Sequence, residues 1–102
     1  MQKQFILYNL AEHVTDEQYK DYVIHEKGPL LESLSTVRKF ELVKIKGPMA
    51  GKLPYSYVGI LHVTSMDEFN KKDAPTKKFQ DFGAKWRPMT RDVLVLYGDE
   101  IY

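Results

Sequence analysis

Between Val14 and Phe40 the chain reads VTDEQYKDYVIHEKGPLLESLSTVRKF. This is a capped amphipathic helix, a Gly-Pro break, a short leucine-rich helical piece and the start of a strand. Its apolar stripe needs a sheet to lie on, so this stretch constrains everything around it. Thr15 and Gln18 have capping-box spacing, in which the threonine oxygen takes the amide three residues on and the glutamine side chain reaches back. Val14 and Tyr19 are placed as the hydrophobic staple around that cap. Asp16 and Glu17 suit the positive end of the helix dipole. The spacing predicts Tyr19, Tyr22, Val23 and Ile24 as the buried stripe, with Lys20 and Asp21 in water. Pro29 lacks an amide donor and disfavours a helical Gly28, so the helix is predicted to end or kink there. Leu30, Leu31 and Leu34 then anchor the short piece.

The remaining elements follow from periodicity and punctuation. Gln4–Leu10 is a predicted strand with Phe5, Leu7 and Asn9 on one face and Ile6, Tyr8 and Leu10 on the other. Thr36–Lys46 is a second strand, with Val37, Val43 and Ile45 on the face of Lys39 and Glu41. Phe40 and Leu42 share the opposite face. Residues 47–54, GPMAGKLP, hold two glycines and two prolines and are too long for a tight hairpin turn, so they form a loop and a candidate lid. Tyr55–Thr64 is a third strand, rich in β-branched and aromatic residues. Ser65 and Glu68 form a second capping box for a helix from Ser65 to Lys72. Asp73-Ala74-Pro75 interrupts it, and a further helix from about Pro75 to Trp86 spaces Phe79, Phe82 and Trp86 along one side. Arg91–Gly98 is the fourth strand.

The order β-α-β-β-α-β is that of a ferredoxin-like α+β sandwich, with helices on one face of an antiparallel sheet. All 102 residues form one domain, residues 1–102. The first, third and fourth strands are apolar on both sides, and monomers rarely leave more than about 300–600 Å² of such surface in water. Pairing of two sheets face to face, and hence a homodimer, is the expected remedy. A net charge of +1 gives no field to attract nucleic acid or an anionic membrane, and neither is expected as a partner. The chain has no cysteine, no signal-peptide layout and no apolar run of membrane-spanning length, so a cytoplasmic location is expected.

YKDYVIHEKGPLLESLSTVRKFELVKI resembles the first helix and second strand of small members of the dimeric α+β barrel superfamily. YVGILHVTSMDEF resembles their third strand and capped second helix. Within it the length and the ending WRPMTRDVLVLYGDE are similar to the REDY-like (HapK-like) family of prodigiosin-type pyrrole pigment clusters. That resemblance implies a homodimeric protein of secondary metabolism or antibiotic biosynthesis, keeping a small-molecule pocket between helices and sheet. It would bind an aromatic heterocyclic intermediate and assist its condensation or cyclisation, carry it without catalysis, or act as a cofactor-independent monooxygenase. Whether the chain is an enzyme stays open. Related EthD-like members place a histidine two residues before the Pro-Leu pair; here that position is Lys27, and the nearest histidine is His25.

Candidate chemistry rests on few residues. His25 follows Asp21 by four positions, and a histidine oriented by a carboxylate can serve as a base near neutral pH. His62 lies on the strand face of Val58 and Ile60, where an imidazole could reach a pocket. These two are the candidate catalytic residues, against the blander readings of a surface ion pair and a packed imidazole. Tyr8, Tyr22, Tyr57, Phe82 and Trp86 are the candidate ligand-binding residues, a cage for a flat molecule if they are more than core. Three scattered histidines have no metal-site spacing, and no phosphate-binding or dinucleotide motif appears, so no metal or cofactor is expected.

Overall fold

The structure, a computed structural model, describes residues 1–47, 49, 51 and 53–102. Its elements are β1 Gln2–Leu10, α1 Asp16–Tyr22, a π-helical turn Val23–Lys27, α2 Gly28–Glu32, β2 Val37–Lys44, β3 Tyr57–Val63, α3 Met66–Lys72, α4 Lys77–Trp86, a 3₁₀ turn Arg87–Met89 and β4 Thr90–Asp99. The strands form one antiparallel sheet in the order β2-β3-β1-β4, the ferredoxin-like arrangement. The candidate lid at 47–54 includes residues 48, 50 and 52, and so lies partly outside the described residues.

Local chemistry explains the element starts. Thr15 accepts from the Gln18 amide while Gln18 reaches back to the Thr15 amide, the reciprocal box the spacing predicts. Ser65 and Thr76 cap α3 and α4 one way only, each hydroxyl accepting an amide three residues on; the reciprocal half of the Ser65–Glu68 box does not form, and Glu68 pairs with Lys72 instead.

The first helical stretch departs from expectation at Gly28-Pro29. It neither stops nor breaks there. A π-helical turn over Val23–Lys27 carries the backbone into α2, with the Gly28 amide donating to the Val23 carbonyl five residues back. The wide turn just before Pro29 lets the helix absorb a residue that offers no amide donor. It also re-phases the helix. The buried positions run Tyr19, Tyr22, Lys27, Leu31 and Leu34, so the spacing opens to five once and then returns to four and three. Ile24, expected in the stripe, is 56% exposed, and Lys27 is 2% exposed.

The core has two parts on the helix side of the sheet. One is aliphatic with a phenylalanine: Leu31, Leu34, Val37, Leu61, Val63 and Phe69. The other is four tyrosines, Tyr8, Tyr19, Tyr22 and Tyr57, flanked by Leu42, Phe82 and Trp86. Val37 joins the first part although strict alternation puts it on the other face with Val43. A bulge at Arg38, between the pairs Val37–Val63 and Lys39–His62, shifts the register and turns Val37 inward. A second bulge in β4 places Asp92 at φ 58°, a region that aspartate tolerates better than most residues. At the end of α3, buried Asp73 accepts hydrogen bonds from the amides and hydroxyls of Ser35 and Thr36. Burial raises its carboxyl pKa, but those four donors outweigh burial and hold it below the usual value.

The opposite face is uncovered. Register places Val43, Val58, Leu7 and Leu94 in one row across the sheet, and Glu41, Ile60, Phe5 and Leu96 in the next. Val43, Leu94 and Leu96 are exposed.

Gly28 permits the wide turn through its lack of a side chain, its φ being an ordinary −59°. A Cβ there would sit 2.9 Å from the Val23 carbonyl oxygen. Gly28→Ala, which in a regular helix gains about 1 kcal/mol, is therefore expected to destabilise this chain by about 1–2 kcal/mol through that backbone clash. Chemical denaturation of the two proteins checks it.

Candidate functional site

A core built partly from tyrosines must find partners for its hydroxyls. Here they converge on a lysine. The π-turn delivers Lys27 beneath the helices, where Nζ donates to the Tyr19 hydroxyl at 3.0 Å and the Tyr8 hydroxyl at 3.2 Å. Those two hydroxyls lie 2.5 Å apart. Trp86 Nε1 donates to the Tyr19 oxygen at 2.8 Å. With that oxygen already accepting from Trp86 and Lys27, Tyr19 is the hydroxyl that donates to Tyr8. The ammonium position is also ringed by aromatic faces, 4.9 Å from the Trp86 ring centre, 5.1 Å from Tyr8 and 5.5 Å from Phe40. Among the described residues no carboxylate pairs with it.

Burial without a counter-charge penalises the charged amine and pulls the Lys27 pKa down from 10.5 to about 7. Burial drives both hydroxyls the other way, Tyr8 well above the ordinary phenol value and Tyr19 above it, so both stay protonated. The site therefore holds a partly neutral amine against two neutral hydroxyls.

Lys27 lines a cavity of about 180 Å³ between α4 and the sheet, with Ile6, Leu61, Phe82 and Trp86 among its walls and Arg87 and Val95 beside them. Its surface is mostly apolar. Gly83 lies in the wall, where the absence of a side chain leaves room. Phe82 and Trp86 stack at 6.3 Å, and Tyr8 meets Trp86 edge-on at 5.1 Å. On the far side of Tyr19 a cleft of about 360 Å³ opens between α1 and β2, lined by Val23, Leu42 and Tyr57. There the Tyr57 hydroxyl donates to Asp16 at 2.6 Å and Lys44 pairs with the same carboxylate. Lys44 and then Tyr57 hold the Asp16 carboxyl below its usual range.

Of the residues singled out from the sequence, Phe82 and Trp86 line the cavity beside Lys27, and Tyr8 lies behind it, its hydroxyl accepting from Lys27. Tyr57 stacks on Tyr8 at 5.7 Å but faces the neighbouring cleft. Tyr22 packs on Tyr19 and borders a third depression, near Glu26 and Lys85. The two histidines are elsewhere. His25 is exposed, its Nδ1 within 3.1 Å of the Asp21 carboxylate and 2.9 Å of the Asp21 carbonyl. His62 projects from the open sheet face, 2.6 Å from Glu41, because it alternates with Leu61 and Val63, which point to the helices. Neither lines the cavity of Lys27. Lys27 itself was marked in the sequence only by its position two residues before Pro29. Among the described residues no cluster of histidine and acidic side chains could hold a metal ion, and no helix is long and apolar enough to cross a membrane.

The profile of the REDY-like protein HapK family matches residues 2–101. The chain belongs to that family. The solved structure of HapK from Hahella chejuensis is similar, with a TM-score of 0.83 at 19% identity over 99% of this chain and 93% of that one. A dimeric ferredoxin-like protein from Thermobifida fusca matches with a TM-score of 0.73 and 18% identity, over 95% of this chain and 88% of that one. Hydroxynitrile lyase from Passiflora edulis matches with a TM-score of 0.80 and 13% identity, over 99% and 95% of the two chains. At such identities these structures show the fold, that of the dimeric α+β barrel proteins. No curated protein sequence matches the chain.

A lysine that titrates near 7 in the folded chain and 10.5 in the unfolded one binds fewer protons when folded across that window. Stability attributable to Lys27 therefore rises as pH climbs from about 7 to about 10, and below 7 the buried ammonium costs roughly 5 kcal/mol. Lys27→Met is expected to be more stable than the wild type at pH 6–7, by about 2 kcal/mol or more once its altered packing is included. That advantage should shrink by several kcal/mol toward pH 10. Parallel urea titrations across this range measure it; a constant difference would contradict burial of the amine.

Proposed function

We propose that this chain is a homodimeric protein of secondary metabolism, which takes a flat aromatic heterocycle of the pyrrole type into the cavity beside Lys27. There it assists condensation or cyclisation by proton transfer. The observation that carries this reading is a buried lysine amine that lines an aromatic cavity and meets two tyrosine hydroxyls and, among the described residues, no carboxylate. Such a group costs stability, and groups that do so at a cavity wall are candidates for function. At neutral pH it can take a proton, and the hydroxyls can give one. A cavity of about 180 Å³ has room for one or two small rings. Membership of the HapK family supports a place in the chemistry of prodigiosin-type pigments. That a lyase shares the fold supports a catalytic use of this scaffold.

The placement of Lys27 favours it over His25 and His62 as the proton-handling residue, with Tyr19 and Tyr8 relaying and Phe82 and Trp86 holding the ring. A bipyrrole carbaldehyde titrated into the protein is expected to change Trp86 fluorescence saturably, since Trp86 is the single tryptophan and lines the cavity. Lys27→Met should slow condensation of that aldehyde with a monopyrrole by about 100-fold or more, the usual scale of a lost acid–base group. His25→Ala should leave the rate within about twofold, as expected of an exposed ion pair. Binding with an unchanged rate in Lys27→Met would make the protein a carrier of the intermediate rather than a catalyst.

The homodimer is supported by the two apolar rows on the open sheet face and by the description of similar structures as dimeric. Sedimentation is expected to give twice the chain mass of 11.9 kDa. Ile60→Lys, mid-row on that face, should shift the population to monomer by inserting a charge into the apolar contact. A wild-type monomer in dilute buffer would remove this part of the proposal.

A further inference from the structure

We infer that Lys27 captures carbonyl compounds covalently, forming an imine with a small aromatic aldehyde held in the cavity between α4 and the sheet. The inference rests on the reading of that cavity as a ligand site and adds a bond to it. Its geometry has three parts. The amine is fixed by two hydroxyls at 3.0 and 3.2 Å, so its direction is set before any ligand enters. The cavity walls beside it are flat and apolar, Phe82 and Trp86 stacking in one bank, which suits an aromatic ring carrying a single polar carbon. The lysine is almost wholly removed from solvent, so a C=N bond formed there is shielded from the water that hydrolyses it on the surface.

The step closes without any co-reactant. The nitrogen lone pair attacks the carbonyl carbon, the C–N bond forms, and the carbonyl π pair moves to oxygen. That oxygen takes a proton from the Tyr8–Tyr19 pair, and the nitrogen returns one of its own to the same pair. A second proton passed through the hydroxyls lets the C–O bond break, and water departs as the second nitrogen-bound proton is lost. An amine and an aldehyde become an imine and one water, with no change of oxidation level. The tyrosines end as they began. The resulting imine carbon is more electrophilic once protonated than the aldehyde it replaces, which is what a condensation with an electron-rich ring requires.

Selectivity over other amines follows from protonation. An ordinary lysine at pH 7 is neutral in about one molecule in 3,000, whereas an amine titrating near 7 is neutral in about half. Lys27 competes against eleven other lysines and the chain's α-amino group.

Pyrrole-2-carbaldehyde with cyanoborohydride at pH 7, followed by intact mass and peptide mapping, tests this. The expected result is one reduced adduct per chain, on Lys27, formed at least about tenfold faster than at any other amine. The rate at Lys27 should rise with pH and level off above about 7–8. Lys27→Met should abolish the adduct, and Tyr19→Phe should slow its formation while leaving the saturable Trp86 fluorescence change in place. Adducts spread over surface lysines, or none at Lys27 while fluorescence still reports binding, would overturn the imine and leave the binding site standing. Neither adduct nor fluorescence change would remove both.

Discussion

An amine enclosed by protein, with no counter-charge among the described residues, is the constraint around which this molecule is arranged. Water would stabilise the ammonium far better than two phenols and the ring faces of Tyr8, Tyr19, Phe40 and Trp86 do, and the folded chain accepts that loss at Lys27. Hydroxyls in a core need donors and acceptors just as the amine does. Tyr8, Tyr19, Trp86 and Lys27 satisfy one another in a closed set. Removing the Tyr19 hydroxyl leaves the Trp86 Nε1 donor without its partner. Replacing Lys27 by an apolar side chain removes the most costly member and leaves Tyr19 and Tyr8 with partners, so the set is asymmetric in what it tolerates.

The two faces of the sheet divide the work. Alternation along β1 and β3 sends Tyr8, Ile6, Tyr57 and Leu61 toward the helices and Phe5, Leu7, Val58 and Ile60 away from them. Ile6 and Leu61 of the first set line the cavity beside Lys27, and Tyr57 lines the neighbouring cleft; the second set makes rows of apolar surface. His62, on the second face beside Glu41, belongs to the open sheet face rather than to the cavity. Both bulges lie at the margins of this pattern, at Arg38 and Asp92, and adjust the strands bordering it.

Much of the fold was legible because its signals are local. Thr15 with Gln18, and Ser65 with Glu68, announce helix starts within four residues, and two-residue alternation marks β1 and β3. The ring-bearing wall was partly legible too: Phe82 and Trp86 share a helix face by spacing alone. The misreadings come from single-residue changes of phase. Nothing in VIHEKGP states that the backbone widens by one residue there, so helical spacing puts Ile24 in the buried stripe and assigns Lys27 to no face. The Arg38 bulge did the same to Val37. His62 drew attention because its strand is apolar, yet alternation fixes only which neighbours share its face. It does not say which face the helices cover.

The widened turn ahead of Gly28 decides which later side chains meet the interior. An α-helix advances about 100° per residue, so a single inserted codon rotates everything after it and exchanges which side chain meets the interior. Without the extra residue, the inward position after Tyr22 would fall near Glu26 rather than Lys27. One insertion or deletion could thus change the acid–base character of the interior in a single evolutionary event, with sheet, caps and both apolar rows inherited unaltered.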